Sequence, residues 1–304
     1  MSESFKPVIG VVWSDGSMNK PDLDAATQFI AANARVLDRR RFERLLRGGE
    51  AAPVRDAVAA YRNDDGGFGQ GLEPDCRAPG TQPAAIELAL RVLDEADAWD
   101  VGLVTGACDW LQASAPAEGG SVFVEPTVEG WPHAPWWVPQ PGRSASLIST
   151  GQIAATLLAR GFAHPWLDRA TELMWSRIET LDGEPGPYDM YGVVTFLDHA
   201  PDRDRAERAL EGVAPLLLKV VALDPDAPGE THSPLGYAPR PDSLARRVFD
   251  PSVIDAHLDH LAAGQRDDGG WMFNWLAWSP AAELEWRGYI TVSSLVTLRD
   301  NGRL

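Results

Sequence analysis

Cysteine is nearly absent: Cys76 and Cys108 are the only two in 304 residues. That is too few for a disulfide framework or a cysteine-ligated zinc site, so reduced thiols in a cytoplasmic setting are the expectation. No run of 18 apolar residues occurs, and a helical membrane span is not expected. The first residues lack the basic stretch and apolar core of a secretory leader. Cationic residues are scarce, 27 Lys and Arg against 44 Asp and Glu, for a net charge of −17. That balance argues against nucleic acid or an anionic membrane as partner. No Gly-x-Ser-x-Gly elbow, phosphate-binding loop or dinucleotide fingerprint is present. His257-x-x-His260 lacks a third ligand in sequence, so neither metal nor cofactor is expected.

What is present is helical. The chain is 44% hydrophobic and carries 12 Trp, a residue rarely placed on surfaces without a partner. Apolar residues recur at helical spacing over 24–38, 83–96, 144–160, 203–223 and 285–300. Weaker helical patterns fit 51–62, 100–114, 165–179, 187–199, 241–248 and 251–264. Residues 1–22 do not follow the pattern and read as an N-terminal extension to one domain over 23–304.

Two kinds of helix alternate along the chain. Those near 83–96, 144–160, 187–199 and 285–300 are apolar or small on most faces, as burial on several sides requires. Those near 51–62, 165–179, 203–223 and 251–264 are amphipathic, as an outer layer would be. Stacked hairpins of this kind, six of them closed on themselves, predict an all-α, single-domain α/α toroid. Inner-to-outer links are short, near 97–99, 161–164 and 200–202. Outer-to-inner links are long: 63–82, 115–143, 180–186, 224–240 and 265–284. All the long links emerge at one end of such a barrel, and long loops in compact domains usually carry function.

An internal repeat supports the toroid. Arg62-Asn63-Asp64-Asp65-Gly66-Gly67-Phe68 is echoed by Gln265-Arg266-Asp267-Asp268-Gly269-Gly270-Trp271, each after an outer helix and before an inner one. With Gln265, Gly269-Gly270-Trp271 and the stretch running from Asp65 to Ala85, the chain resembles the terpenoid cyclase and protein prenyltransferase superfamily. The resemblance implies an α/α toroid and a terpenoid or prenyl substrate. It carries over no catalytic residue. The Asp-x-Asp-Asp acid motif of class II cyclases does not occur, and adjacent Asp75-Cys76 fails the prenyltransferase zinc spacing.

Candidate chemistry therefore comes from the long links themselves. Glu73-Pro74-Asp75 places two carboxylates beside a rigid proline, where mutual repulsion raises one pKa and suits an acid–base pair. Turn formation plus a salt bridge from Asp75 to Arg77 is the plainer alternative. Trp131, Trp136 and Trp137 surround His133 on a proline-stiffened loop. They form either a wall for a cationic or sugar ligand, with His133 moving a proton, or a packing plug. Tyr188, Asp189, His232 and Trp275 are further candidates for lining the mouth. Asp189 equally suits the dipole of its own helix. The expected function is a small-molecule enzyme with Glu73, Asp75 and His133 as proton-transfer residues and an aromatic-lined central cavity for a mostly apolar substrate. A carbohydrate-active toroid and a non-catalytic binding module are the alternatives.

Overall fold

In the computed structural model, which describes residues 20–304, the chain forms twelve α-helices and two 3₁₀ turns among those residues. Six outer helices are α1 (Leu23–Asn33), α3 (Ala52–Ala59), α5 (Val101–Ser114), α7 (Pro165–Glu179), α9 (Arg203–Val220) and α11 (Pro251–Ala263). The inner positions hold α2 (Val36–Arg47), α4 (Pro83–Glu95), α6 (Leu147–Ala159), α8 (Pro187–His199) and α12 (Pro280–Asp300). At the remaining inner position the chain is broken into α10 (Pro234–Tyr237) and a 3₁₀ turn, Leu244–Val248. Helix α12 packs on α1 and α2, so the ring closes on itself and the architecture is an α/α toroid.

Local chemistry sets the helix ends. Asp22, Asp100, Ser146, Asp202, Asp250 and Ser279 each accept a first-turn backbone N–H as N-caps. Pro83, Pro187 and Pro280 begin three of the inner helices, where a missing N–H is harmless. The expected helix over 24–38 is two helices that meet at Ala34-Arg35, both extended in backbone. The second of them, α2, departs from the sequence reading. Its segment VLDRRRFERLLR is too polar to read as an inner helix, yet it buries Asp38, Arg41 and Phe42. The N-terminal extension expected over 1–22 falls mostly outside the described residues; Asp22, at its end, caps α1.

The two repeated turns share one conformation. Gly66 and Gly269 both have φ near +90°, the left-handed region open to glycine. Asp65 and Asp268 each accept the N–H of the second glycine, at 3.0 and 3.1 Å. A Cβ on Gly66 would meet the Gly106 carbonyl of α5 at 2.8 Å, and one on Gly269 the Ala25 carbonyl of α1 at 2.2 Å. Each turn thus docks on the next outer helix around the ring, with Phe68 and Trp271 buried behind it. Gln265 clamps the closure by bonding both the N–H and the carbonyl of Asp22. A third such turn, Gly119-Gly120, packs on α7 and accepts the Trp166 indole N–H at 3.0 Å. Ser121 stands where the aromatic would be, so the sequence pattern did not reveal it.

Helices α6 and α8 approach more closely than side chains allow. A Cβ on Gly151 would lie 2.3 Å from the Gly192 carbonyl, and one on Gly192 only 2.0 Å from that of Leu147. Gly192→Ala is expected to destabilise the fold by about 1–3 kcal/mol, since two helix backbones rather than a side chain must yield. Urea unfolding measures it, and an unchanged midpoint would contradict this packing.

Candidate active site at the long-link face

The long links cluster at the N-terminal ends of the inner helices, and the first two are stitched together. Ala134 N–H donates to the Asp75 carbonyl at 2.8 Å, and Arg77 N–H to that of Pro132 at 2.9 Å. This short antiparallel pairing holds the tryptophan-bearing loop against the Glu73-Pro74-Asp75 turn.

Asp75 is 5% exposed. Its Oδ1 accepts the indole N–H of Trp286 at 2.8 Å; the Trp278 N–H donates to the adjacent Pro74 carbonyl at 3.3 Å, and Trp136 and Trp278 both lie near enough to the carboxyl group to favour its charged form. Burial raises the Asp75 pKa, against the opposing pull of these indole donors and of Arg77. Glu73 accepts the Asp75 N–H at 2.7 Å. Its pKa is raised well above the usual carboxylate range, first by burial and then by the neighbouring Asp75 charge. The expected Asp75–Arg77 salt bridge is not the pairing observed, because Arg77 reaches Glu285 on α12 at 2.9 Å. Asp75 is left with neutral donors, and a carboxyl group so placed is held ready to carry a proton.

A raised folded-state pKa has a stability consequence with a definite sign. Below its unfolded pKa, Glu73 is protonated in both states and neutral to folding. As the pH rises from there through the raised folded value, ionisation penalises the folded state, and stability is lost. Glu73→Gln is therefore expected to raise the melting temperature near pH 7 and to leave it unchanged near pH 3. A variant less stable than the parent at neutral pH would contradict the burial described.

The other expected residues distribute around this acid pair. His133 is half-buried, with Nδ1 2.9 Å from the Ala134 carbonyl, which holds its ring against the loop. Trp131 and Trp136 stand on the rim, 49% and 40% exposed. Trp137 is buried under the loop with Phe123, Val124 and Val128, where it packs as a plug. Tyr188 is 48% exposed and donates its hydroxyl to Glu230 at 2.8 Å. Asp189 lies in the first turn of α8, its pKa raised by burial. His232 sits edge-on to Tyr188 and Tyr191, at 5.0 and 5.6 Å, and burial lowers its pKa toward the neutral ring. Trp275 packs edge-on to Trp286 at 5.3 Å, and Trp286 in turn to Tyr289 at 5.7 Å. That aromatic file runs from the loop face toward the barrel axis.

Several residues here escaped the sequence reading. Trp286 is the foremost, because α12 begins at Pro280 rather than 285 and carries Trp286 up to the face. Tyr191 and Tyr237 stack with centroids 4.1 Å apart, beside Tyr188 and His232. Cys76 lies beside the acids, but burial pushes its thiol up to about 11, which leaves little thiolate for nucleophilic attack.

The interior beneath also holds charge, which the expectation of an aromatic-lined cavity did not include. Arg41 of α2, wholly buried, pairs with Asp38 at 3.0 Å and with Glu95 of α4. Glu87 and Arg91 of α4 pair at 2.9 Å. Both guanidinium groups lie against the Tyr289 ring, at 4.2 and 5.3 Å. Aromatic residues gather near Asp75 at the long-link face, and the ion pairs of α2 and α4 lie against Tyr289.

Comparison with known proteins bears on the fold. No protein-family model and no curated protein sequence matches the chain. Among solved structures, a protein from Actinoplanes aligns with TM-score 0.56 and 15% identity, over 91% of this chain and 90% of that one. The type II terpene cyclase MstE from Scytonema, without ligand, aligns with TM-score 0.54 and 12% identity over 92% and 89%. A variant of that cyclase in complex with its substrate, geranylgeranyl dihydroxybenzoate, gives 0.52 and 13% over 92% and 86%. The chain has a terpenoid cyclase-like α/α-toroid fold.

Proposed function

We propose that this chain is a small-molecule enzyme of the protonation-initiated cyclase type, with Asp75 as the proton donor and a prenyl-bearing substrate at the aromatic mouth. One observation carries the reading: a buried carboxyl group of raised pKa, bonded to the Trp286 indole and placed beside the Trp275–Trp286 file. In the reaction, the alkene π pair takes the Asp75 proton to form a C–H bond, and the O–H bond breaks. The resulting cation is stabilised by the indole and tyrosine faces around it. Ring closure follows, and loss of a proton from the cyclised cation to water leaves a product isomeric with the substrate. The Trp286 N–H bond strengthens as Asp75 becomes an anion, so it favours the transition state over the ground state. Glu73, beside Asp75, is suited to returning a proton from solvent.

Incubation with geranylgeranyl dihydroxybenzoate in D₂O tests this reading. Mass spectrometry is expected to show a cyclised isomer that contains one solvent deuterium on carbon. Cyclised product without deuterium, or none from any polyprenyl substrate, would sink it. Binding without turnover is the second reading, favoured by the missing Asp-x-Asp-Asp motif. It predicts ligand binding with no product. A carbohydrate-active role is less supported, because Glu73 and Asp75 share one turn, bonded to each other through the Asp75 N–H, rather than facing one another across a groove.

A further inference from the structure

Arg91 combines two properties that conflict unless an internal space exists. It stands on an inner helix, and its guanidinium lies over Tyr289 of α12 on the inside of the ring. Yet 42% of its side chain is accessible. Glu95, held by Arg41 in the same interior, keeps 25% accessible. Tyr191 of α8 is likewise only half-buried. Accessible area on side chains that lie inside the ring marks open space there, with Arg91, Glu87 and Glu95 as its floor and Tyr191 beside it.

The charges of that floor balance. Arg41 is matched by Asp38 and Glu95, with Arg35 also on Asp38, and Arg91 is matched by Glu87 through Nε and Nη2. Arg91 Nη1 has no hydrogen-bond partner among the described residues. An anionic head entering here would face Glu87, 2.9 Å from the same guanidinium. A bare hydrocarbon would expel water from these paired charges and from Arg91 Nη1 while offering no hydrogen bond in return, which is unfavourable. A neutral hydroxyl satisfies both signs, accepting from Arg91 Nη1 and donating to a carboxylate.

We infer that the Arg91–Glu87–Glu95 floor is a binding subsite for a neutral hydroxyl-bearing head, so the ligand is an amphiphile with its hydrocarbon chain at the aromatic mouth. The inference rests on the proposed apolar-substrate site and adds the chemistry of the head. Three probes of equal chain length test it: farnesol, farnesyl diphosphate and farnesene, titrated against tryptophan fluorescence in non-ionic detergent. Farnesol is expected to bind at least tenfold more tightly than either of the others. The paired change Glu87→Gln with Arg91→Gln removes both charges together and is expected to bring farnesol and farnesene within about threefold of each other. Thermal melting confirms that the variant is folded; should it fail to fold, the ranking in the parent protein still decides.

Equal binding of farnesol and farnesene, or tighter binding of the diphosphate, overturns the subsite while leaving the cyclase reading intact. Tighter binding of farnesol that survives the paired change also overturns it. Binding of none of the three overturns both. A deuterium-free outcome in the D₂O experiment would instead remove the cyclase chemistry without touching this ranking.

Discussion

Asp75→Asn is expected to lower turnover by about 10²–10⁴-fold, the range for loss of a positioned general acid, while ligand affinity stays within a few-fold. The amide keeps the shape of the carboxyl group and its acceptor oxygen for Trp286, whose N–H lies 2.8 Å from Oδ1. What it loses is the proton. The pH dependence has a fixed sign. Asp75 acts only when protonated, and burial raises its pKa, so activity is greatest in acid and declines as pH climbs through that raised value. Trp286→Phe removes a donor that favours the charged form, so the declining limb is expected to move to higher pH. Single-turnover assays across pH, with binding read separately, measure both effects. An asparagine variant that keeps parental turnover would remove Asp75 from the chemistry.

Arg41→Met is expected to destabilise the fold by roughly 3–5 kcal/mol, the penalty for breaking a buried ion pair from one side. Arg41 is 0% exposed and pairs with Asp38 and Glu95; methionine would leave the buried Asp38 with Arg35 alone and the part-buried Glu95 without a cation. It also covers the Tyr289 ring at 4.2 Å. The control is the paired change Arg41→Met with Glu95→Gln, which removes the cation together with the carboxylate that has no other ion-pair partner and keeps Asp38 for Arg35. It is expected to recover part of the loss, because much of the penalty lies in the unpaired Glu95 carboxylate rather than in the absent pair. Denaturant unfolding distinguishes the two, and a single variant as stable as the parent would contradict the described burial.

Much of the fold was written locally. Most inner and outer helices after residue 50 lie within a few residues of where apolar spacing, N-caps and prolines put them; the exception is the sixth inner position, where α10 falls in the expected 224–240 link and the helix expected over 241–248 is a 3₁₀ turn. Residues 24–47 were harder, because α2 presents Asp38 and Arg41 to the interior and so breaks the rule by which inner helices are recognised. The acid pair was legible as well, since Glu73-Pro74-Asp75 lies on one short turn of a long link. Its surroundings were not. Trp286 comes to Asp75 from 211 residues away, and no local pattern announces a partner at that distance.

The sequence by itself determined the toroid, its long-link face and the presence of two carboxylates and many indoles there. These follow from periodicity and from the repeated Asp-Gly-Gly turns, whose conformation depends on neighbouring residues alone. Only the tertiary structure decided which indoles meet Asp75, that Trp137 packs as a plug while Trp136 lies near the acid, and that the barrel floor is charged. Each of those is set by which helix closes on which around the ring. Helix α12 meets α2 and α1 only after the whole chain has wound, and that closure brings Tyr289 between Arg41 and Arg91.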